Sequence, residues 1–209
     1  MMISNRLKNP VVILLAIIGF SILCKMTLFL AFFHGDINQI AQPDTGTYLQ
    51  PALSLLNYGH YGDMFERTPG YPTFIAALYW VFGEHLQVII IAQIVLSGVL
   101  IAEGYFIAKQ LFSERVGLLS ALLLAVNFLF FGFNLLILSE TLFVVLIGAA
   151  FLAGSYLFSG HPRFFLFSFL LGLFLALSTI TRPISYYLIV PFVIGFICYA
   201  YKTNNKRNY

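Results

Sequence analysis

Charge is the scarcest property of this 209-residue sequence. Only 9% of the residues are Asp, Glu, Lys or Arg, whereas 60% are hydrophobic. A soluble domain of this size cannot bury so much apolar surface, so the composition excludes a water-soluble globular protein. The net charge is only +3 and the bases are scattered along the chain. That pattern excludes a nucleic-acid-binding surface, and we expect no nucleic acid partner.

Cysteine is scarce as well, with two residues in the whole chain. Cys24 and Cys198 lie in separate apolar runs, which we place at different depths in a membrane. Thiols so placed are not expected to form a disulfide, and their spacing is not that of a metal site. We therefore expect both to be packing residues.

Long apolar runs dominate the remainder and predict an all-α, polytopic membrane helix bundle. A helix of about 18 residues or more can cross a hydrocarbon core of about 30 Å. The first run is too long for a signal peptide and no small-residue cleavage site follows it, so we expect an uncleaved helix. Six transmembrane helices are predicted, at residues 10–33, 86–111, 116–133, 135–158, 163–180 and 185–201.

The long first loop, residues 34–85, is expected to contain one or two interfacial helices. Residues 70–83 are apolar, but at about 1.5 Å per residue they reach only about 21 Å, which is too short for a span. A second short helix is predicted after Asp44, since apolar residues recur at helical spacing from Tyr48 to Leu56. Asp44 itself is a plausible N-cap of that helix.

Positive charge predicts the orientation, with both termini in the cytoplasm. With six spans, eight of the eleven Lys and Arg residues fall on one side, including those of the tail at 202–209. This asymmetry follows the positive-inside rule, and it would be lost if residues 70–83 were a span. Three bases stay on the outer side: Lys25, Arg67 and Arg182.

A polar island at residues 44–72 interrupts the apolar sequence on the predicted outer side. It contains Asp44, Asp63, Glu66 and Arg67. Each charge has a structural alternative to a functional role. The structural alternative for Asp44 is a role as a helix cap and nothing more. For Arg67 it is a salt bridge with Glu66 or Asp63.

Four further charges lie within or at the ends of the predicted spans. Lys25 is about 12 Å of helix rise from the outer end of its helix, so it needs an acid, water or an anion. Arg182 precedes a helix-ending proline, where lipid phosphates are its simplest partners. Glu140 must be paired or hydrated, with Lys25 or Arg182 as structural partners. Glu103 is expected to pair with Lys109 or to face headgroups.

These motifs resemble GT-C membrane glycosyltransferases, the polyprenyl-phosphate-sugar-dependent enzymes related to protein O-mannosyltransferases and aminoarabinose transferases (glycosyltransferase family 39-type). Three later segments, LFSERVGLLSALLLA, LSETLF and LLGLFLALSTITRP, are similar to the family in the same order. The resemblance covers most of residues 1–201, but only the N-terminal module of the family. In the first loop it comprises Asp44, Tyr48, Ala52, Leu56, Gly59, Arg67, Pro69, Gly70, Tyr71 and Pro72.

The resemblance implies transfer of a sugar from a polyprenyl phosphate to an acceptor hydroxyl, phosphate or amide at the outer face, in a bacterial-type inner membrane. Asp44 occupies the position of the first-loop aspartate, which acts as a general base or orients the acceptor. Cations for the leaving phosphate are Arg67, Arg182 and Lys25. Supporting residues would be Glu140, Tyr48, Tyr61 and Tyr71, the tyrosines offering flat faces to a sugar ring.

No metal or cofactor is expected, because Thr45 follows Asp44 where many relatives carry a second acid. Family enzymes generally continue through more membrane helices, whereas the basic tail here is typical of a cytoplasmic end. One function is therefore a minimal glycosyltransferase, active alone, as a homo-oligomer or with a partner membrane subunit. The alternative is a non-catalytic accessory subunit or lipid carrier that binds polyprenyl phosphate. A transporter is disfavoured, since the sequence has no inverted repeat.

Overall fold

The fold is a bundle of α-helices, as predicted. The computed structural model describes residues 9–33, 40–62 and 67–205, and these ranges contain helices and turns but no strand. Their helices are α1 (Pro10–Phe32), α2 (Thr45–Tyr58), α3 (Gly70–Phe82), α4 (Leu86–Leu111), α5 (Glu114–Ala125), α6 (Phe128–Asn134), α7 (Glu140–Phe158), α8 (Phe164–Thr181), a 3₁₀ helix (Pro183–Leu188) and α9 (Ile189–Asn205).

Five segments within the described ranges are long and apolar enough to cross a membrane. A sixth crossing requires α5 and α6 to act as one broken span. The chain is therefore a multi-pass membrane protein with five to six candidate spans. The five segments are Pro10–Ala31, Leu86–Leu111, Glu140–Phe158, Phe164–Thr181 and Pro183–Tyr201.

The third predicted span, residues 116–133, is not a single helix. Two helices, α5 and α6, meet there at an angle of 56°. Asn127, between them, starts the second helix, because its side-chain oxygen accepts a hydrogen bond from the Phe130 backbone N–H at 3.1 Å. The Asn134 side chain at the end of α6 donates to the Phe130 carbonyl. The bend thus places a polar helix end inside the bundle, beside α4.

Helix α4 lies at the centre of the bundle and packs against α1, α5 and α7, while α8 packs against α7. Its buried face includes Ile89, Ile90 and Ile94 near one end and Ile101 and Tyr105 towards the other. Side chains buried on α4 belong to two separate core clusters. The same helix carries Gln93 and Ser97, whose side chains bond to the Leu136 carbonyl and to Lys25.

Helices α2 and α3 pack against each other and cover one end of the bundle, which is called the capped end below. Helix α3 also contacts α4 and α8. Tyr48 and Ala52 from α2 join Tyr71 and Ile75 from α3 in one buried cluster with the first turns of α4. Both loop helices are present, and their placement at a membrane interface stays a prediction.

The prediction for Glu103 is wrong. Lys109 Nζ lies 3.0 Å from Glu114 Oε2, and the Glu103 side chain is buried against Gly148 of α7. Residues 103 and 109 are six apart, so they lie on different faces of α4, unlike residues three or four apart.

Candidate functional site

One ion pair at the capped end joins the start of α2 to the segment that precedes α3. Arg67 Nη2 lies 2.6 Å from Asp44 Oδ2, and these side chains are 38% and 50% exposed. Arg67 Nε also donates to Thr47 Oγ1 at 3.3 Å, and its guanidinium lies 5.5 Å from the centre of the Tyr48 ring. Arg67 is therefore held by three groups of α2 and its N-terminus, yet stays accessible.

Asp44 stands at the N-cap position of α2, but its carboxylate makes no capping hydrogen bond. Its backbone carbonyl accepts the Thr47 hydroxyl instead, at 2.7 Å. Helix capping therefore does not account for the carboxylate, which is directed at Arg67. The other predicted partners of Arg67, Asp63 and Glu66, lie outside the described residues.

A second ion pair joins the start of α7 to the end of α8. Arg182 Nη1 lies 2.5 Å from Glu140 Oε1, and the side chains are 38% and 27% exposed. The Arg182 guanidinium also lies 5.7 Å from the centre of the Phe143 ring. Glu140 Oε2 is buried and has no hydrogen-bond partner among the described residues. Glu140 thus binds a cation with one oxygen and keeps the other as an unused acceptor.

The two ion pairs lie side by side, because their neighbours in sequence are hydrogen-bonded to each other. Thr68, which follows Arg67, donates from Oγ1 to the carbonyl of Thr181 at 2.7 Å, and Thr181 precedes Arg182. On the other flank, the hydroxyls of Tyr48 and Ser139 are 3.4 Å apart. These two contacts bring Asp44, Arg67, Glu140 and Arg182 to one surface.

A glycine permits the closest of these approaches. A Cβ at Gly70, the first residue of α3, would lie 2.7 Å from the carbonyl oxygen of Ile180 and 2.7 Å from the Cα of Thr181. Real Cβ atoms do not approach backbone so closely, so only glycine lets α3 begin against the end of α8. Gly70 therefore sets how near Arg67 lies to Arg182.

Tyr71 supports this surface from below. It is fully buried, its ring stands edge-on to Tyr48 with centroids 5.0 Å apart, and its hydroxyl donates to Gln93 Oε1 at 2.5 Å. Gln93 Nε2 in turn donates to the Leu136 carbonyl at 2.7 Å. The Tyr71 side chain is thereby fixed between α2, α4 and the residues that lead into α7.

Burial raises the pKa of Tyr71 well above its ordinary value, and the neighbouring Tyr48 and Glu140 raise it further. The phenol therefore stays neutral and acts as a hydrogen-bond donor. Tyr71 can position Tyr48, and it is unsuited to act as a base.

Two of the residues predicted for the site lie apart from the ion pairs. Lys25 is 2% exposed, donates from Nζ to Ser97 Oγ at 2.8 Å and lies 5.3 Å from the centre of the Phe131 ring. In the described ranges its ammonium has a hydroxyl as partner and forms no ion pair. The Tyr61 hydroxyl lies 2.7 Å from Thr73 Oγ1, which ties the start of the α2–α3 loop to α3.

Sequence reasoning missed three residues that assemble the site: Thr68, Gln93 and Ser139. Gln93 carried a signal, because a polar side chain in the apolar run LQVIIIAQIVLSG needs a buried partner. Thr68 and Ser139 have no signal beyond their positions next to Arg67 and Glu140, since their partners are distant in sequence.

Comparison of the sequence with known proteins identifies the family of the chain. No curated protein and no solved structure matches the chain significantly. A family model described as dolichyl-phosphate-mannose-protein mannosyltransferase matches residues 66–208, which is more than half of the chain. The matched range contains Arg67, Glu140 and Arg182 and begins after Asp44. The resemblance found in the sequence is thereby confirmed, and the chain belongs to the dolichyl-phosphate-mannose-protein mannosyltransferase family of membrane glycosyltransferases.

Proposed function

We propose that the protein transfers a sugar from a polyprenyl phosphate to an acceptor at the capped end of the bundle. The observation that carries this proposal is the meeting of two accessible arginine–carboxylate pairs on one surface, at 2.6 Å and 2.5 Å. A transferase of this kind needs cations for a leaving phosphate and a carboxylate near the reacting carbon. The capped end offers both the cations and the carboxylate. The chain also belongs to a family of sugar transferases.

Arg67 and Arg182 bind the donor phosphate in this mechanism. Each guanidinium has five N–H donors, and its carboxylate partner leaves most of them unused. Phosphate oxygens match the planar fork of arginine, and the pairing strengthens where water is partly excluded. The two guanidiniums therefore neutralise the charge that grows on the phosphate as the bond to the sugar breaks.

Asp44 is the general base, or the carboxylate that orients the acceptor. In the displacement, the acceptor oxygen forms a bond to the anomeric carbon and the bond from that carbon to the phosphate oxygen breaks. The acceptor proton moves to the Asp44 carboxylate, and polyprenyl phosphate leaves with the electron pair. Once the phosphate takes over N–H groups of Arg67, the half-exposed Asp44 carboxylate is released to serve the acceptor.

The supporting residues have separate roles. Glu140 holds Arg182 with Oε1, and its Oε2 is enclosed, so the residue serves to position that cation. Tyr48 is buried beneath the Arg67 guanidinium, so it supports that cation, and Tyr71 fixes Tyr48 in place. Tyr61 is more exposed and offers its ring face to the sugar. Lys25 is enclosed by Ser97 and Phe131, so it acts on the phosphate only through its charge.

The orientation of the chain is part of the proposal. We place both termini in the cytoplasm of a bacterial-type cell and the capped end on the outer face of its inner membrane, where lipid-linked sugar donors are used. The eight bases on the opposite side support this orientation. The active unit is the chain alone, a homo-oligomer or a complex with a membrane subunit.

The test is turnover by the full chain in proteoliposomes that contain polyprenyl-phosphate sugars labelled in the sugar. Wild type should move the labelled sugar from the lipid to an acceptor hydroxyl or to water and leave polyprenyl phosphate. Asp44→Asn should lower this rate by about 10²- to 10⁴-fold while donor binding persists. Glu84→Gln is the matched control, since Glu84 is an exposed acid between α3 and α4, and it should keep full activity.

Three outcomes contradict parts of the proposal. Equal turnover by wild type and Asp44→Asn removes the catalytic role of Asp44. Donor binding by wild type without any turnover identifies the chain as a lipid-binding accessory subunit. No donor binding by wild type rejects the function as a whole.

A further inference from the structure

One buried acid takes no part in the proposed transfer reaction. Glu103, in α4, is 6% exposed, and its Oε2 has no hydrogen-bond partner within the described ranges. The side chain faces α7 at Gly148, where an added Cβ would overlap Oε2. From Glu140 to Gly148 the rise along α7 is about 12 Å, so Glu103 lies well below the capped end.

Glu103 borders a crevice of about 370 Å³ between α4, α7 and α8. Helices α4 and α8 both pack against α7, and the crevice is the space left between them. Its wall is apolar and largely aromatic, with Phe106, Tyr156, Phe167 and Phe174 among the lining residues. The volume falls within the range of small-molecule sites in proteins.

The chemistry of the crevice selects one kind of occupant. Glutamate accepts a hydrogen bond in either protonation state, and buried acceptors in native proteins nearly always have a donor. A phosphate-bearing head would meet a carboxylate and no basic lining residue. An ammonium head would lose its water to an apolar wall that offers only one acid. The hydroxyl of an uncharged alcohol needs a single acceptor. The hydrocarbon chain of such an alcohol matches the aromatic wall.

We propose that this crevice binds a neutral long-chain alcohol from the membrane. The hydroxyl of the ligand donates a hydrogen bond to Glu103 Oε1, because Oε2 is enclosed against Gly148. The hydrocarbon chain of the ligand packs along Phe106, Phe167 and Phe174. This site is separate from the proposed sugar-transfer surface, and binding at it does not require that the transfer reaction occur.

The experiment uses the full chain in proteoliposomes with a photoreactive hexadecanol, and peptide mass spectrometry locates the adducts. Wild type should be labelled at the crevice residues of α4, α7 and α8. Unlabelled hexadecanol should compete at least tenfold better than hexadecylamine or hexadecyl phosphate. This competition order is measured on wild type and does not depend on the folding of a variant.

Variants of the acid and of its neighbour sharpen the test. Glu103→Leu should reduce labelling by about tenfold, the effect of one lost hydrogen bond, and Glu103→Gln should retain it because the amide oxygen accepts. Gly148→Ala keeps the acid but displaces it, so labelling should fall as well. Glu114→Leu is the matched control, since that exposed acid pairs with Lys109. Its labelling should equal wild type.

Three results would overturn the proposal. One is equal crevice labelling of wild type and Glu103→Leu, which would make the acid irrelevant to binding. Another is stronger competition by the amine or the phosphate than by the alcohol. Adducts spread over the lipid-facing surface of α1 would likewise show partitioning without a site.

Discussion

The charged side chains at the capped end and those inside the bundle differ in what they contact. Asp44 and Glu140 each lie against an arginine, and both pairs are partly exposed. Lys25 and Glu103 are almost completely buried and form no ion pair among the described residues. Burial without pairing is the more expensive arrangement. The ion-paired charges therefore lie at the surface of the capped end, whereas the charges without an ion-pair partner are buried inside the bundle.

This difference decides which charges can change partner during a reaction. An arginine in a half-exposed pair can exchange a carboxylate for a phosphate at little cost, since water and the ligand replace the lost contact. A buried lysine held by Ser97 has no such freedom, because any exchange would strand a charge in an apolar core. The capped end is thus suited to a cycle of binding and release.

Removal of one member of the more buried pair should have the largest effect. Arg182→Met leaves Glu140 without its cation, and the unused Oε2 adds to the penalty. We expect a loss of about 2 kcal/mol in the free energy of unfolding, below the roughly 3–5 kcal/mol of a fully buried pair. The measurement is unfolding by SDS in mixed micelles. Arg182→Met with Glu140→Gln should recover part of the loss, and failure to recover would show that the pair is not coupled.

Gly70→Ala should separate the two pairs without altering a charge. The added Cβ meets the backbone of Ile180 and Thr181, so we expect about 1.5 kcal/mol of destabilisation, together with weaker donor binding. Gly46→Ala in α2 is the control, since a Cβ there has no neighbour within 4 Å. Unfolding in micelles and a donor-binding assay compare the two variants. Equal behaviour would mean that the contact between α3 and α8 does not hold the site together.

The more exposed pair should be weaker. A double-mutant cycle with Asp44→Asn and Arg67→Met is expected to give a coupling of less than about 1 kcal/mol, because both side chains are well exposed. The coupling should decrease further in high salt, which screens surface charges. A coupling as large as that of Glu140 with Arg182 would contradict the division into a strong structural pair and a weak exchangeable pair.

Lys25→Met should have the smallest effect. Methionine fills a similar volume without a buried charge, so stability should stay within about 1 kcal/mol of wild type or rise. Donor affinity should fall by no more than about threefold if Lys25 acts only through its field. A loss of affinity as large as that of Arg182→Met would show that the lysine contacts the phosphate directly.

The helices were predictable from sequence, since their length and apolar composition reflect the thickness of a membrane. The bend between α5 and α6 was not predicted, although Asn127 in an otherwise apolar run was its signal. The partners in the ion pairs were harder to predict from the sequence. Glu140 was expected to bind Lys25 or Arg182, and only the packing of α7 against α8 selects Arg182.

The failure for Glu103 has a different cause. The sequence places Lys109 near it along the chain, but helical phase turns the two side chains to different faces. A pattern of residues gives the phase of each helix, whereas the identity of the neighbouring helix comes only from tertiary packing. For that reason the contact with Gly148, which lies 45 positions away, could not be derived from the local sequence.

The absence of a side chain at Gly70 also bears on the spacing of the two cations. The start of α3 rests on the backbone of α8, and the hydrogen bond from Thr68 to Thr181 closes the same junction. The backbones of Arg67 and Arg182 are therefore held near each other by contacts that involve neither ion pair. A ligand that displaces Asp44 or Glu140 from its arginine would leave this junction in place, and both cations would keep their backbone spacing.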